Sequence, residues 1–412
     1  MSPPDVTVLG AGAVGIASAL SLVEAGLTVE VIDRDPPAAG ASHGNAGVVS
    51  PWSCVPQALP GLWRSVPRWL LDREGPLALR VAHAWRFVPW ALKFMAAGRA
   101  DRLPAIADAM HALSRPSVEL YRQNLAGTGA EHLLRDACYL HVYREGRPDL
   151  TGPAWRLREE RGVPFRIVEG PELAEIEPAL APGSVAVLIE GQGRAMDPGA
   201  IGRAIAEKAA AKGADFHRMT VEAIRPGTEG GWQLTTDQGP RDARHLVLAA
   251  GAWSARLLAP LGVRLPLEAE RGYHAVLKDP GIEVRHSIMD VSGKFVASGM
   301  AAGIRCAGTA EFGGLDAKPD MRRAEMLRGQ ALRLFPGLRD GEVETWSGVR
   351  PSFPDSLPCI GALKGFRDIT LAFGHSHYGF GMAPATGRIV AGLVSGRPPN
   401  TDLAPYAAER FA

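Results

Sequence analysis

Two sets of residues in this 412-residue chain have types and spacings that can do chemistry. The first is Gly10-Ala11-Gly12-Ala-Val14-Gly15, with Asp33 and Arg34 roughly twenty residues further on. Glycines at those places allow a tight turn, let backbone approach a pyrophosphate, and let a helix pack closely on its strand. The phosphates then sit at the helix N-terminus. A carboxylate at Asp33 suits ribose hydroxyls. The motif serves NAD and FAD alike. The second set centres on Arg350, in Trp346-Ser-Gly-Val-Arg350-Pro-Ser-Phe-Pro-Asp355. A fixed arginine offers a planar fork to a substrate carboxylate. The plain alternative is an ion-paired surface arginine, and the segment shows little helix or strand tendency.

Three further blocks have the small residues of a cofactor cradle. They are Ala41-Ser42-His43-Gly-Asn45-Ala46-Gly47, Leu246-Val-Leu-Ala-Ala250-Gly251-Ala-Trp-Ser254, and Gly374-His-Ser-His377-Tyr-Gly379-Phe380-Gly381-Met382. Taken singly, the first reads equally as a surface loop and the second as a buried strand with a turn. The third leads into a helix whose N-terminus favours negative charge, as on a reduced flavin. His43 raises the idea of a covalent flavin link, but a non-covalent or structural histidine is the reading adopted. His375 and His377 have no third ligand at matching spacing, so no metal is expected. The chain has no serine-hydrolase elbow, Walker A or zincin motif.

These residues need elements to hold them. The pattern predicts a strand at 6–9, a helix over 16–24 stopped at Gly26, and a strand at 28–33. Asp197-Pro198 opens a helix to about residue 212, with proline where a first turn tolerates it. Strands follow at 221–224, 232–237, 245–253 and 369–375, and a last helix at 383–395. Between these blocks lie helices at 101–127 and 153–162, strands at 140–145 and 165–168, and a strand-rich stretch over 261–345 with one helix near 321–334. No linker-like tract separates the blocks, so two interleaved domains are expected.

Composition sets the bounds. The chain is 46% hydrophobic and 22% charged, ordinary for a soluble enzyme. A formal net charge of +1 leaves no electrostatic footprint for nucleic acid. No apolar run is long enough for a membrane span. The first basic residue is Arg34, so the early apolar stretch lacks the basic start of a secretory leader and is expected to belong to the fold. Cys54, Cys138, Cys306 and Cys359 are scattered, as packing thiols of a reducing compartment would be. Residues 51–100 stand apart, with seven Lys/Arg against two Asp/Glu, and five of the nine tryptophans fall between Trp52 and Trp90. This stretch is a candidate peripheral membrane contact over 52–98. The competing reading, a packed helical insert with solvated arginines, is favoured because the tryptophans follow no clean helical period.

Together the blocks resemble the family of FAD-dependent D-amino-acid dehydrogenases and glycine or sarcosine oxidases, over nearly the whole chain. VTVLGAGAVGIASAL with VEVID looks like its FAD-binding start, and GNAGVVSPW like its flavin-lining stretch. MDPGAIGRAI and LVLAAGAWS fit the middle of its cofactor domain. GVRPSFPDSLPCIG and AFGHSHYGFGMAPATGRIVAGLVSGRPP are the most specific pieces and match its C-terminal signature. The resemblance implies an α/β fold. A Rossmann-like FAD-binding domain (1–51, 196–260, 346–412) is interleaved with a substrate domain on a mainly antiparallel sheet (52–195, 261–345). It implies that Gly10, Ala11, Gly12, Val14 and Gly15 flank the diphosphate and that Asp33 and Arg34 serve the adenosine. Ser42, His43, Asn45, Ala46 and Gly47 would line diphosphate and flavin, Val221 the adenine, and Ala250 and Gly251 the ribityl chain. Gly374, Gly379, Phe380, Gly381 and Met382 would meet the flavin edge.

On the substrate side the resemblance gives Arg350 the carboxylate and places Tyr273, in ERGYHAVL, at the pocket. A core tyrosine on a strand fits Tyr273 equally well. Glycine-oxidase-like members carry an arginine where this chain has His377. A histidine is shorter and only partly charged near neutral pH, which argues against simple glycine oxidase activity. The nearest branch handles D-amino acids, including cis-4-hydroxy-D-proline or D-proline. The expected reaction is hydride transfer from the substrate Cα to flavin N5, giving an imino acid, with a quinone or O₂ as final acceptor. Two rivals remain at this point: an O₂-using amine oxidase, and an FAD-bearing subunit of a hetero-oligomer. A cytoplasmic location, in part peripheral to the inner membrane face, is the matching expectation.

Overall fold

The computed structural model describes residues 3–72, 74–228, 230–397 and 400–412. Two large sheets organise it. The first has six strands in the order 359–362, 369–373, 246–248, 6–9, 29–33 and 214–218. Five are parallel, and Cys359–Ala362 runs antiparallel at the edge. Val6–Leu9, Leu246–Leu248 and Ile369–Phe373 are buried throughout, as strands covered on both faces must be. Helices Ala13–Glu24, Pro198–Ala211 and Gly379–Val394 cover one face. On the other face a cluster joins the sheet to the antiparallel strands Val221–Pro226, Trp232–Thr236 and Gly239–Ala243.

The second sheet is ten-stranded and mostly antiparallel. Its path starts at the edge strand Val343–Ser352 and continues through Glu268–Leu277 and Gly303–Phe312. Helix Arg322–Leu334 packs against it around Ala324, Leu327 and Ala331.

The helices start earlier than their apolar periodicity suggests. The first begins at Ala13 and the last at Gly379, because the glycine-rich turns themselves are the first helical residues. Pro384 inside the last helix lacks the N–H that would bond Phe380 O. Tyr121 Oη donates to that carbonyl at 2.7 Å instead. The predicted helix over 101–127 is two, Leu103–Ser114 and Ser117–Leu125, parted at Pro116.

Two sequence boundaries shift. Residues 346–352, expected to be irregular, belong to the strand Val343–Ser352, paired along its length with Glu268–Leu277. Pro351 is tolerated because the strand lies at a sheet edge. Strand 343–352 thus crosses the expected boundary at 345/346, and Val48–Val49, placed in the cofactor block, also pairs within the large sheet. Helices Leu103–Ser114 and Ser117–Leu125, from the expected substrate block, pack on Gly379–Val394.

Candidate active site

The C-terminal ends of all five parallel strands open on one cavity of about 1630 Å³. Gly10–Gly12 follow the strand 6–9, Asp33 ends the strand 29–33 with Arg34 after it, and Thr220 and Val221 follow the strand 214–218. Ala250 and Gly251 follow 246–248, and Gly374 follows 369–373. Ligands of open α/β sheets bind at this edge. The large sheet supplies a second wall, with Glu270, Gly272, Thr309 and Arg350, and Gln57, Leu59, Trp69, Phe87, Trp90 and Phe94 contribute a third.

The Gly10 turn is sterically obligatory. Its φ is +115°, and a side chain there would put Cβ 2.4 Å from Ala249 O. Gly15 lies behind the turn, where a Cβ would fall 1.8 Å from Gly10 O. Helix Ala13–Glu24 therefore presses on the turn and aims its N-terminus at the cavity, with no acid in its first turn. Ser42 Oγ accepts from Ala13 N at 2.8 Å. Asp33 is held by Ala11 N on Oδ2 (2.7 Å) and Asp35 N on Oδ1 (3.0 Å), and burial pushes its carboxyl up. Arg34 lies over the Trp253 ring at 3.9 Å.

Ser42, Asn45 and Ala46 border the cavity, as do Val14, Gly379, Phe380, Gly381 and His377. Gly15, His43, Gly47 and Met382 are the expected residues that do not. Met382 is fully buried in a core with Ile360 and Ile389. Gly47 backs onto Ala195 O. The His43 ring turns towards His274 and Trp346.

The 42–47 loop is fixed from below by a residue the sequence reading missed. Buried Arg305 donates through Nη1 to His43 O (2.8 Å) and Asn45 O (2.9 Å). Arg305→Ala would strand two carbonyls and loosen the loop. The expected cost is about 1–3 kcal/mol, read as weaker FAD retention on gel filtration, with full flavin content counting against this role.

Arg350 is the centre of the second wall. Its Nη1 donates to Glu270 Oε1 at 3.0 Å and to Thr309 O at 3.1 Å. Glu270 is almost fully buried. It also accepts from Ser352 Oγ at 2.6 Å and lies 2.5 Å from His377 Nε2. An ionised carboxylate only accepts, so His377 Nε2 carries the shared proton. Burial pushes the Glu270 carboxyl up, but His377, Arg350 and Ser352 outweigh it and bring it down to about 2. Thr309 has φ of +57°, rare for a β-branched residue, and its buried Oγ1 has no partner among the described residues.

Gly272 makes this arrangement possible. Glu270, Gly272 and His274 alternate onto one face of their strand, opposite Arg350, Gly348 and Trp346. The guanidinium lies across Gly272, where a Cβ would fall 2.1 Å from Nη2. Tyr273 points the other way, into the core under helix Arg322–Leu334. It borders the cavity, but its hydroxyl donates to Glu311 and accepts from Asp320 N at 2.9 Å. Burial and the Glu311 contact push its pKa up. Strand alternation thus turns the Tyr273 side chain off the face that carries Glu270 and Gly272, while Tyr273 still borders the cavity that Arg350 lines.

A dinucleotide cradle at five strand ends, facing a second sheet that carries a tethered arginine, defines a dinucleotide-dependent enzyme. The chain belongs to the DAO family of FAD-dependent oxidoreductases, whose profile matches residues 5–393. A D-amino-acid oxidase of Bradyrhizobium diazoefficiens is 38% identical over 98% of both chains. A D-amino acid dehydrogenase of Allorhizobium ampelinum is 31% identical, over 99% of this chain and 98% of its own. The glycine oxidase of Geobacillus kaustophilus superimposes with a TM-score of 0.74 at 25% identity, covering 99% of each chain. The protein is an oxidoreductase with FAD as cofactor, and the cradle fits that group. The Gly10 turn leaves room for a pyrophosphate, the helix N-terminus faces it without a competing acid, and Asp33 stands where a ribose needs an acceptor.

Proposed function

We propose that this protein oxidises a D-amino acid to its imino acid, with FAD bound non-covalently. The observation that carries the reading is Arg350, laid flat across Gly272 and tethered through one nitrogen to buried Glu270. That leaves a guanidinium edge for a substrate carboxylate, in the cavity the strand ends share. The D-amino-acid names of two relatives agree with it. The bound flavin supplies the electron sink that takes a hydride equivalent from the substrate Cα.

The chain's own residues bind and orient. Arg350 fixes the carboxylate, and Glu270, Ser352 and Thr309 O fix Arg350. With Glu270 ionised, the Arg350–Glu270 pair is neutral overall, and the His377 Nε2–H donates to the same carboxylate oxygen. Thr309 Oγ1 adds a polar group that lacks a partner among the described residues. Phe87, Trp90, Phe94 and Phe312 give an apolar wall that suits a ring. We therefore favour a cyclic substrate such as cis-4-hydroxy-D-proline or D-proline. No side chain is assigned as general base. His43, turned away from the cavity, supports non-covalent attachment.

The test is anaerobic titration of the flavin band with D-amino acids, cis-4-hydroxy-D-proline, D-proline, sarcosine and glycine. Bleaching by D-amino acids, strongest with the cyclic ones, is expected. Bleaching by glycine or sarcosine alone, or by none of the panel, would overturn the reading. Peroxide formed under air separates an oxidase from a dehydrogenase.

Gly272→Ala tests the positioning. The obstructed atoms are the far end of a flexible side chain, so the fold persists while the guanidinium shifts. A rise in the substrate concentration for half-bleaching of about 10- to 100-fold is expected, since misplacement by about 1 Å costs that order. Unchanged affinity with a normal melting curve would remove Gly272 from this role.

A further inference from the structure

Eight of the nine large hydrophobic side chains most exposed among the described residues fall between residues 63 and 95. Leu71 and Val81 are 85% and 90% exposed, and Trp63 and Trp85 are 59% and 69% exposed. Solitary exposed apolar residues are ordinary; a concentration of this kind marks a surface that something covers.

Helix Ala84–Ala97 shows how the patch is built. Its inward face carries Phe87, Trp90, Ala91 and Phe94. Trp90 stacks between Phe87 and Phe94 at 5.1 and 5.0 Å and packs on Phe312. Its outward face repeats Trp85, Val88, Leu92 and Met95 at helical spacing, all exposed. A helix apolar on both faces has no place at a bare water interface. Its only charges are Arg86 and Lys93, seven residues apart on one flank of the outward stripe, and it contains no acid.

The charges around the patch point to its occupant. Arg64, Arg68, Arg86 and Lys93 are all exposed. Among the described residues none of them pairs with a carboxylate, whereas Glu74 is held by Arg333 at 3.0 Å. Arg64 and Arg86 lie beside the rings of Trp63 and Trp85. Tryptophan and cations rimming an aliphatic stripe form the pattern of a helix lying in a lipid headgroup layer. A symmetric contact with a second copy would bring these same cations face to face.

We propose that residues 62–71 and 84–95 dock the protein on an anionic lipid surface, with Trp85, Val88, Leu92 and Met95 inserted and the four cations on lipid phosphates. The wall so docked is also the cavity wall, because Phe87, Trp90 and Phe94, on the helix's other face, line the cavity. Docking would therefore present the cavity to an electron acceptor dissolved in the bilayer. That consequence rests on the proposed function; the docking itself does not.

The experiment is flotation of the FAD-loaded protein with vesicles of phosphatidylcholine, with and without phosphatidylglycerol. Flotation with phosphatidylglycerol, at least tenfold weaker without it and reversed by high salt, is expected. Leu92→Glu and, separately, the double change Arg64→Glu with Arg86→Glu should each lower it tenfold or more. Both should leave anaerobic flavin reduction by substrate unchanged. Failure to float on either vesicle would overturn the proposal. So would a concentration-dependent dimer that Leu92→Glu dissolves, which would assign the patch to a second copy. Flotation by a protein whose flavin no amino acid reduces would uphold the docking and remove only the functional reading.

Discussion

Replacing Arg350 with alanine is expected to lower the second-order rate of flavin reduction by substrate about thirtyfold to a few thousandfold. The range corresponds to the roughly 2–5 kcal/mol lost when one partner of a buried, hydrogen-bonded charge pair is truncated. Two losses combine. The substrate carboxylate loses its fork, and Glu270 keeps only His377 and Ser352 as partners. The net charge facing the substrate also becomes one unit more negative, which opposes an anionic ligand. Arg350→Lys restores the charge but not the planar group that lies across Gly272, so it should recover only part of the rate. Stopped-flow reduction under anaerobic conditions reads this directly. Retention of near-normal affinity by Arg350→Ala would move the carboxylate site elsewhere in the cavity.

Much of the cofactor half was legible because its signals are local. Glycines 10, 12 and 15 between an apolar strand and a helix can be placed without knowing what packs on them. The same holds for the strand-to-helix turns at 250–251 and 374–381. The substrate half was less legible because its signals lie across strands. Arg350 could be singled out, but Glu270, Gly272 and Ser352 matter only through the pairing of 268–277 with 343–352. Gly348 and Pro351 hid that edge strand. Period-two alternation was the available clue: once ERGYHAVL is a strand, Glu270 and Gly272 share a face and Tyr273 cannot join them. Arg305 acts through two backbone carbonyls, which leave no trace in residue type. The tryptophans of 52–90 were hard to read for a related reason. They divide between an inward and an outward face, so no single period shows, and the inward partner Phe312 is more than two hundred residues away.

Glu270→Gln is expected to destabilise the protein by about 3–5 kcal/mol near neutral pH, the range for breaking a buried ion pair from one side. The amide keeps the shape and one acceptor, yet Arg350 loses the charge that balances it. The loss has a signed pH dependence. The folded carboxyl is lowered from 4.5 to about 2, so the unfolded chain binds a proton more readily than the native one. Ionised Glu270 therefore stabilises the fold fully above about pH 4.5. That contribution shrinks as pH falls and is gone below about pH 2. Chemical denaturation of both proteins should show a constant gap from pH 7 to about 5 that narrows on further acidification. A gap that is absent at pH 7, or that widens towards acid, would mean that Glu270 is not the ionised anchor of Arg350. Positioning is separable from bulk stability: the variant should also raise the substrate concentration for half-bleaching at temperatures where it is fully folded. A free Arg350 swings off Gly272, and a carboxylate bound to a swinging guanidinium no longer holds the substrate Cα in place.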